Sequence, residues 1–227
     1  MRFSLELVKR LYRTGFLLVI ILVLLDLFAY FYYPETVFGD IFLATREQTP
    51  LTWISALAMF FIAFSCFGMY FETKKKVWYF LSVTFFFFSM DDAVYLHERV
   101  SGFFQDNTTI FNFFPSYIWV VIYFPILIFS LSALIYLVWR DSLSKGKKSV
   151  IIALLILGIA IFLDLLDGFI QKNAGLVFCL NQSCQEMFTH LIRLVEEALE
   201  VTALGILGYT NIRIHCVDDE SKEKGVV

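Results

Sequence analysis

At 227 residues, with 59% hydrophobic, 19% aromatic and 17% charged side chains, the chain carries more apolar surface than a soluble domain of its size can bury. A formal net charge of −3 supplies no basic footprint, which excludes nucleic acid as a partner, and the composition excludes disorder and coiled coil. What remains is an all-α integral membrane bundle.

Apolar runs stand at 14–33, 51–71, 77–97, 117–139, 149–170 and 188–211. Each is close to the ~20 residues that a helix needs to cross ~30 Å of hydrocarbon. The runs are continuous rather than alternating, so they predict six transmembrane helices and no barrel strands. The first run lacks a small-residue cleavage site and reads as a retained span rather than a signal peptide. Residues 1–212 then form a single six-helix domain, and 213–227 a polar, unstructured tail.

Lys and Arg set the direction of the chain. Arg2, Lys9, Arg10 and Arg13 precede the first run, and Lys74, Lys75 and Lys76 separate the second from the third. Arg140, Lys145, Lys147 and Lys148 separate the fourth from the fifth, and Arg213, Lys222 and Lys224 follow the sixth. Fourteen of the 18 basic residues thus fall on one side, which predicts that both termini are cytoplasmic. The predicted location is a plasma membrane, most simply the bacterial inner membrane. Cys179 and Cys184, five apart in an outer loop, are placed to close a small disulfide in an oxidising compartment. Sequons at Asn107 and Asn181 also fall on the outer side. Tyr30, Tyr32 and Tyr33 close the first run as an interfacial aromatic belt.

The acids are the informative residues. Nine of 21 lie inside or at the ends of the spans: Asp26, Asp91, Asp92, Glu98, Asp164, Asp167, Glu196, Glu197 and Glu200. Arg193 is the one clear counter-charge among them, with His97 and His190 nearby. A carboxylate at a helix centre costs ~2.5–3.5 kcal/mol, so nine unpaired would cost on the order of 20–30 kcal/mol. That exceeds the ~5–15 kcal/mol by which proteins are stable. Bound cations, held protons or water must neutralise them. At 1.5 Å per residue, Asp91, Asp164 and Asp167 sit ~21–27 Å from the inner boundary, and Glu196, Glu197 and Glu200 enter from the opposite direction. All therefore fall in the outer half of the bilayer.

Helical spacing gives the expected pairings. Asp91 and Glu98 are seven apart on one face, whereas Asp91 and Asp92 diverge by ~100°, which favours Asp91 as the residue facing a shared cavity. Asp164 and Asp167, three apart, can converge on one cation. Arg193 stands four before Glu197 and is expected to pair with it, leaving Glu196 and Glu200 without a matching base. Asp26 reads as a packing or capping contact as readily as a ligand.

Three readings fit this pattern. The first is a divalent-metal site (Zn²⁺, Mn²⁺ or Fe²⁺) with Asp91, Glu98, Asp164, Asp167, His190, Glu196 and Glu200 as ligands. In it Asp91, Glu98, Glu197 and Arg193 form the catalytic set of a membrane-embedded hydrolase acting on a lipid or amphipathic substrate. The second is a proton- or cation-binding transporter or channel component, although the inner halves of the spans lack the polar residues of a through-pathway. The third is a structural or accessory subunit of a membrane complex, in which the acids fix helix packing. Besides membrane lipids, a partner subunit or a second copy of the chain remains open as a partner.

The run Asp91-Asp92-Ala93-Val94-Tyr95-Leu96-His97-Glu98, followed by Asp164 and by Glu196-Glu197, resembles a group of prokaryotic multi-span membrane proteins. Those carry an Asp-Asp/Glu-x4-His-Glu helix and a later Glu-Glu helix, and the likeness spans most of the chain. It implies a multi-pass fold and no named activity. Alkaline ceramidases, which the pattern resembles more loosely, use three histidines with a His-x-x-x-His pair. His97, His190 and His215 do not have that spacing, so no residue roles carry over.

Overall fold

The computed structural model describes residues 5–44, 49–96, 99–100, 118–140, 146–172 and 182–223. Over these the chain is all-helical, with seven helices: α1 (Leu5–Tyr32), α2 (Val37–Phe42), α3 (Pro50–Thr73), α4 (Lys76–Val94), α5 (Ile118–Arg140), α6 (Lys147–Lys172) and α7 (Gln182–Glu223). Each of the six apolar runs coincides with one long helix, and α2 is a short extra turn between the first two. Among the described residues, four helices are long and apolar enough to cross a membrane, namely α1, α3, α4 and α6. Within α5 the apolar stretch Tyr123–Trp139 is shorter, and α7 carries Arg193, Glu196, Glu197 and Glu200 along its length.

Local chemistry sets the helix ends. The Thr49 hydroxyl accepts from the Thr52 N–H at 3.4 Å, and Pro50, which lacks an N–H, opens α3 where that donor would go unused. Lys74, left-handed at φ 55°, ends α3 by donating its N–H to the Tyr70 carbonyl, so α4 follows after Lys75 as an antiparallel partner. Tyr95 does the same for α4 at φ 54°, donating to the Asp91 carbonyl. That residue stops the helix at Val94, three short of the end that hydropathy predicts. At the other extreme, α1 begins well before the apolar run, and α7 is helical through Glu223 rather than giving way to an unstructured tail. No glycine or proline stands between Gly208 and Gly225 to end it.

The longest helix, α7, is the spine of the bundle. It packs along α6 on one side and against α3 and α1 on others, while α3 and α4 pair closely and α5 touches α4 and α6 more lightly. A main apolar core joins α3 to α7 through Ile62, Cys66, Trp78, Leu81, Leu137, Val150, Leu204 and Leu207. A smaller one joins α1, α3 and α7 through Val19, Leu22, Leu51, Leu194 and Val201. Gly208 allows a close crossing of α1 and α7: a methyl group there would meet the Tyr12 hydroxyl at 2.6 Å.

Candidate functional site

The inward-facing charged residues gather at one end of the bundle. That end is built from the first turns of α3, the last turns of α1, α4 and α6, and the first half of α7. Lys9, Arg10 and Arg13 of α1, Lys74 to Lys76 at the α3–α4 turn, and Lys147 and Lys148 of α6 belong to the opposite end. A helix delivers Asp164 and Asp167 to one side three residues apart, and Glu196, Glu197 and Glu200 to a broad stripe.

Contacts within this end differ from the pairings that spacing suggests. Arg193 donates from Nε to Oδ2 of Asp167 at 2.8 Å, across from α7 to α6, rather than pairing with Glu197 on its own helix. Asp167 is almost fully buried, and a buried carboxylate holds a guanidinium more tightly than one that water can reach. Glu197 instead bonds to the Thr52 side chain of α3 and faces Glu200, Asp92 and Arg193. Glu200 accepts from the Ser55 hydroxyl at 2.7 Å, again from α3. Glu196 faces Asp164, Glu197, Glu200 and Arg193. Of the α4 pair, Asp92 is the one turned to Glu197, while Asp91 accepts from the Tyr123 hydroxyl of α5 at 2.7 Å, with Phe87 and Phe88 against the phenol ring. The order expected for Asp91 and Asp92 is thus reversed, because α4 presents residue 91 to α5 and residue 92 to α7.

A shallow surface depression without internal volume, lined by Thr52, Trp53, Asp92, Ala93 and Tyr95, lies beside this cluster. Of Asp164 and Asp167, expected to share one cation, Asp167 holds Arg193 and Asp164 lies within electrostatic reach of Glu196. Among the described residues, no group of three His, Cys, Asp or Glu side chains is arranged as it stands to hold a metal ion. Glu98, His97, Cys179, Asn107 and Asn181 lie outside the described residues, and with them the Asp91–Glu98 pairing and the Cys179–Cys184 disulfide.

His190 is not among the α7 carboxylates. It is 1% exposed, and its Nε2 lies 2.7 Å from Oδ1 of Asp26, itself 0% exposed, on α1. The two atoms meet at this distance without the alignment of a full hydrogen bond. The other Asp26 oxygen accepts from the Ala44 N–H just after α2. Tyr30, one turn beyond Asp26, lies flat on the imidazole, with centroids 4.1 Å apart and planes 8° from parallel. Spacing held a partial signal for this group, since Asp26 and Tyr30 are four apart on one face. Nothing in the sequence pairs that face with residue 190. The hydroxyls of Thr52, Ser55 and Tyr123 were equally silent, since Ser, Thr and Tyr are common in apolar helices.

No curated protein and no solved structure matches the chain. A family model described as a domain of unknown function (DUF8692) matches residues 11–216, nearly the whole bundle, and the chain belongs to that family.

Proposed function

We propose that this is a multi-pass membrane protein of six spans with both termini in the cytoplasm, and that its acidic end, in the outer half of the bilayer, is a cation-dependent catalytic site for a lipid-like substrate. One observation carries the reading. Asp164 of α6 acts on Glu196 and Asp92 of α4 on Glu197, with Glu200 acting on both, and Arg193, their neighbouring guanidinium, bonds Asp167. Carboxyl groups gathered away from water have to be neutralised, by held protons or by a cation, and as cation ligands their oxygens suit Mn²⁺, Fe²⁺ or Zn²⁺. On this reading Glu196, Glu200 and Asp164 hold the ion and Glu197 serves as acid or base. The bound ion would supply Lewis-acid activation of water or of an ester or amide oxygen.

A second reading rests on a different observation. Asp91 and Glu200 each receive a hydroxyl from a neighbouring helix, and Asp167 a guanidinium, as they would in a scaffold held by its polar contacts. Metal analysis separates the two. The full chain, purified into lipid nanodiscs and measured by inductively coupled plasma mass spectrometry, should retain a divalent metal that Glu196→Gln plus Glu200→Gln loses. Metal-free protein that melts at the same temperature with and without chelator leaves the scaffold.

A further inference from the structure

The Asp26–His190 pair is separate from the carboxylates of α4 and α6 and is not explained by them. A carboxylate can only accept hydrogen bonds, and Asp26 uses Oδ2 on the Ala44 N–H. Against an ionised Asp26, the nitrogen set 2.7 Å from Oδ1 is the one that a hydrogen favours, although the angle falls short of a full bond, and this points to the Nε2–H tautomer. In the neutral imidazole that leaves Nδ1 as a lone pair. Nδ1 is buried and has no hydrogen-bond partner among the described residues. Leaving a buried acceptor unmet costs about 1–3 kcal/mol, enough to favour any small donor that reaches it.

The ring has little freedom to turn this nitrogen elsewhere. Tyr30 covers one face and Asp26 stands against the opposite nitrogen. A cation is a poorer fit than a donor, since Asp26, the carboxylate beside the ring, sits at Nε2 and not at Nδ1. We propose that Asp26 and His190 form a binding site for a hydroxyl group, in which Asp26 fixes the imidazole tautomer and Nδ1 accepts from an O–H. The ligand is an ordered water or the alcohol of a lipid glycerol or sugar headgroup, which share this chemistry. Water is the usual occupant where a buried polar atom lacks a protein partner. The site does not depend on the cation reading and survives its failure.

Nitrogen-15 NMR on the full chain in nanodiscs, with histidine labelled and His97 and His215 replaced by Gln, tests this directly. His190 should show one protonated nitrogen, Nε2, and one bare nitrogen, Nδ1, with magnetisation transfer to Nδ1 from water. Transfer from the lipid hydroxyls instead, abolished in a lipid without free hydroxyls, identifies the headgroup as the source. A protonated Nδ1, or a bare Nδ1 with no transfer from any hydroxyl, overturns the proposal. Asp26→Asn offers a second readout. The Asn oxygen can still accept from Ala44, its NH₂ then faces Nε2, and the ring should switch to the Nδ1–H tautomer with the site lost. The equivalent exchange in Ser-His-Asp enzymes acts in this way, leaving the geometry intact and imposing the wrong tautomer. If Asp26→Asn does not fold, the wild-type tautomer and transfer decide alone.

Discussion

The Asp167–Arg193 pair makes an asymmetric prediction. The Asp167 side chain is 3% exposed and that of Arg193 34%, so the two ends differ in how they tolerate loss of the partner. Breaking a fully buried pair costs about 3–5 kcal/mol, whereas an exposed pair is worth about 0–1 kcal/mol. Asp167→Asn keeps the volume and one acceptor, and it strands only the residue that can still reach water or headgroups. The loss is then mainly the charge assistance of one hydrogen bond, about 1–2 kcal/mol. Arg193→Met takes the guanidinium from the buried Asp167 and also removes the cation that faces Glu196 and Glu197, so its cost should be larger, about 2–4 kcal/mol. At roughly 2–4 °C per kcal/mol for a chain of this size, Asp167→Asn should melt about 2–8 °C below wild type and Arg193→Met lower still. Thermal unfolding of nanodisc-embedded protein, followed by tryptophan fluorescence, measures both. The double variant should fall short of the sum by about 1 kcal/mol or more, since the partners touch. Two single variants within about 0.5 kcal/mol of wild type, or an additive double, would refute the pairing.

Two further contacts give smaller effects in the same assay. Tyr123→Phe removes the hydroxyl that Asp91 accepts and should cost about 1–2 kcal/mol, loosening α5, which is otherwise lightly held; an unchanged midpoint would show that the bond contributes nothing. At the α1–α7 crossing, a methyl at Gly208 meets the Tyr12 hydroxyl at 2.6 Å and Ile62 of α3 at 3.3 Å, so Gly208→Ala should cost about 1 kcal/mol and Gly208→Val about 1–3 kcal/mol, with partial recovery by Tyr12→Ala. Equal effects of Ala and Val would remove the crossing as the cause.

The helices and the clustering of acids at one end were legible because they follow from quantities read along the chain. Hydropathy over ~20 residues marks a span, and rise per residue marks depth. The partners were not legible because they depend on rotation of one helix about its axis relative to another. Arg193 illustrates this. Spacing offers Glu197 four residues away, but the facing surface of α6 offers Asp167, and burial decides for the latter. Asp91 and Asp92 differ by one residue and so by ~100°, and that rotation sends one to Tyr123 on α5 and the other to Glu197 on α7. The ends of α4 and α7 were hidden for a third reason. A left-handed tyrosine and a polar helical extension leave little mark in hydropathy.

The two ends of the bundle divide the work between them, and the position of the core shows how. The buried set around Trp78, Leu81, Leu137, Val150, Leu204 and Leu207 belongs to the end rich in Lys and Arg, where the α3–α4 turn, the start of α6 and the later half of α7 meet. Those contacts hold the helices without using a charged group. At the other end the same helices hold Asp, Glu, His and Arg, whose burial is costly and is offset only by the contacts described above. The larger core at one end, with the smaller set of Leu22, Leu51 and Leu194 at the other, lets the acidic end carry groups that would unfold a bundle depending on them for cohesion. Truncation of Leu137, with 0% exposure, should therefore lower stability by about 2–5 kcal/mol, more than neutralising any single carboxylate of α7, whose charge is a cost to the fold rather than a support. Should Glu196→Gln or Glu200→Gln instead destabilise the protein as much as Leu137→Ala, the acids would be part of what holds the helices together, and the division would fall.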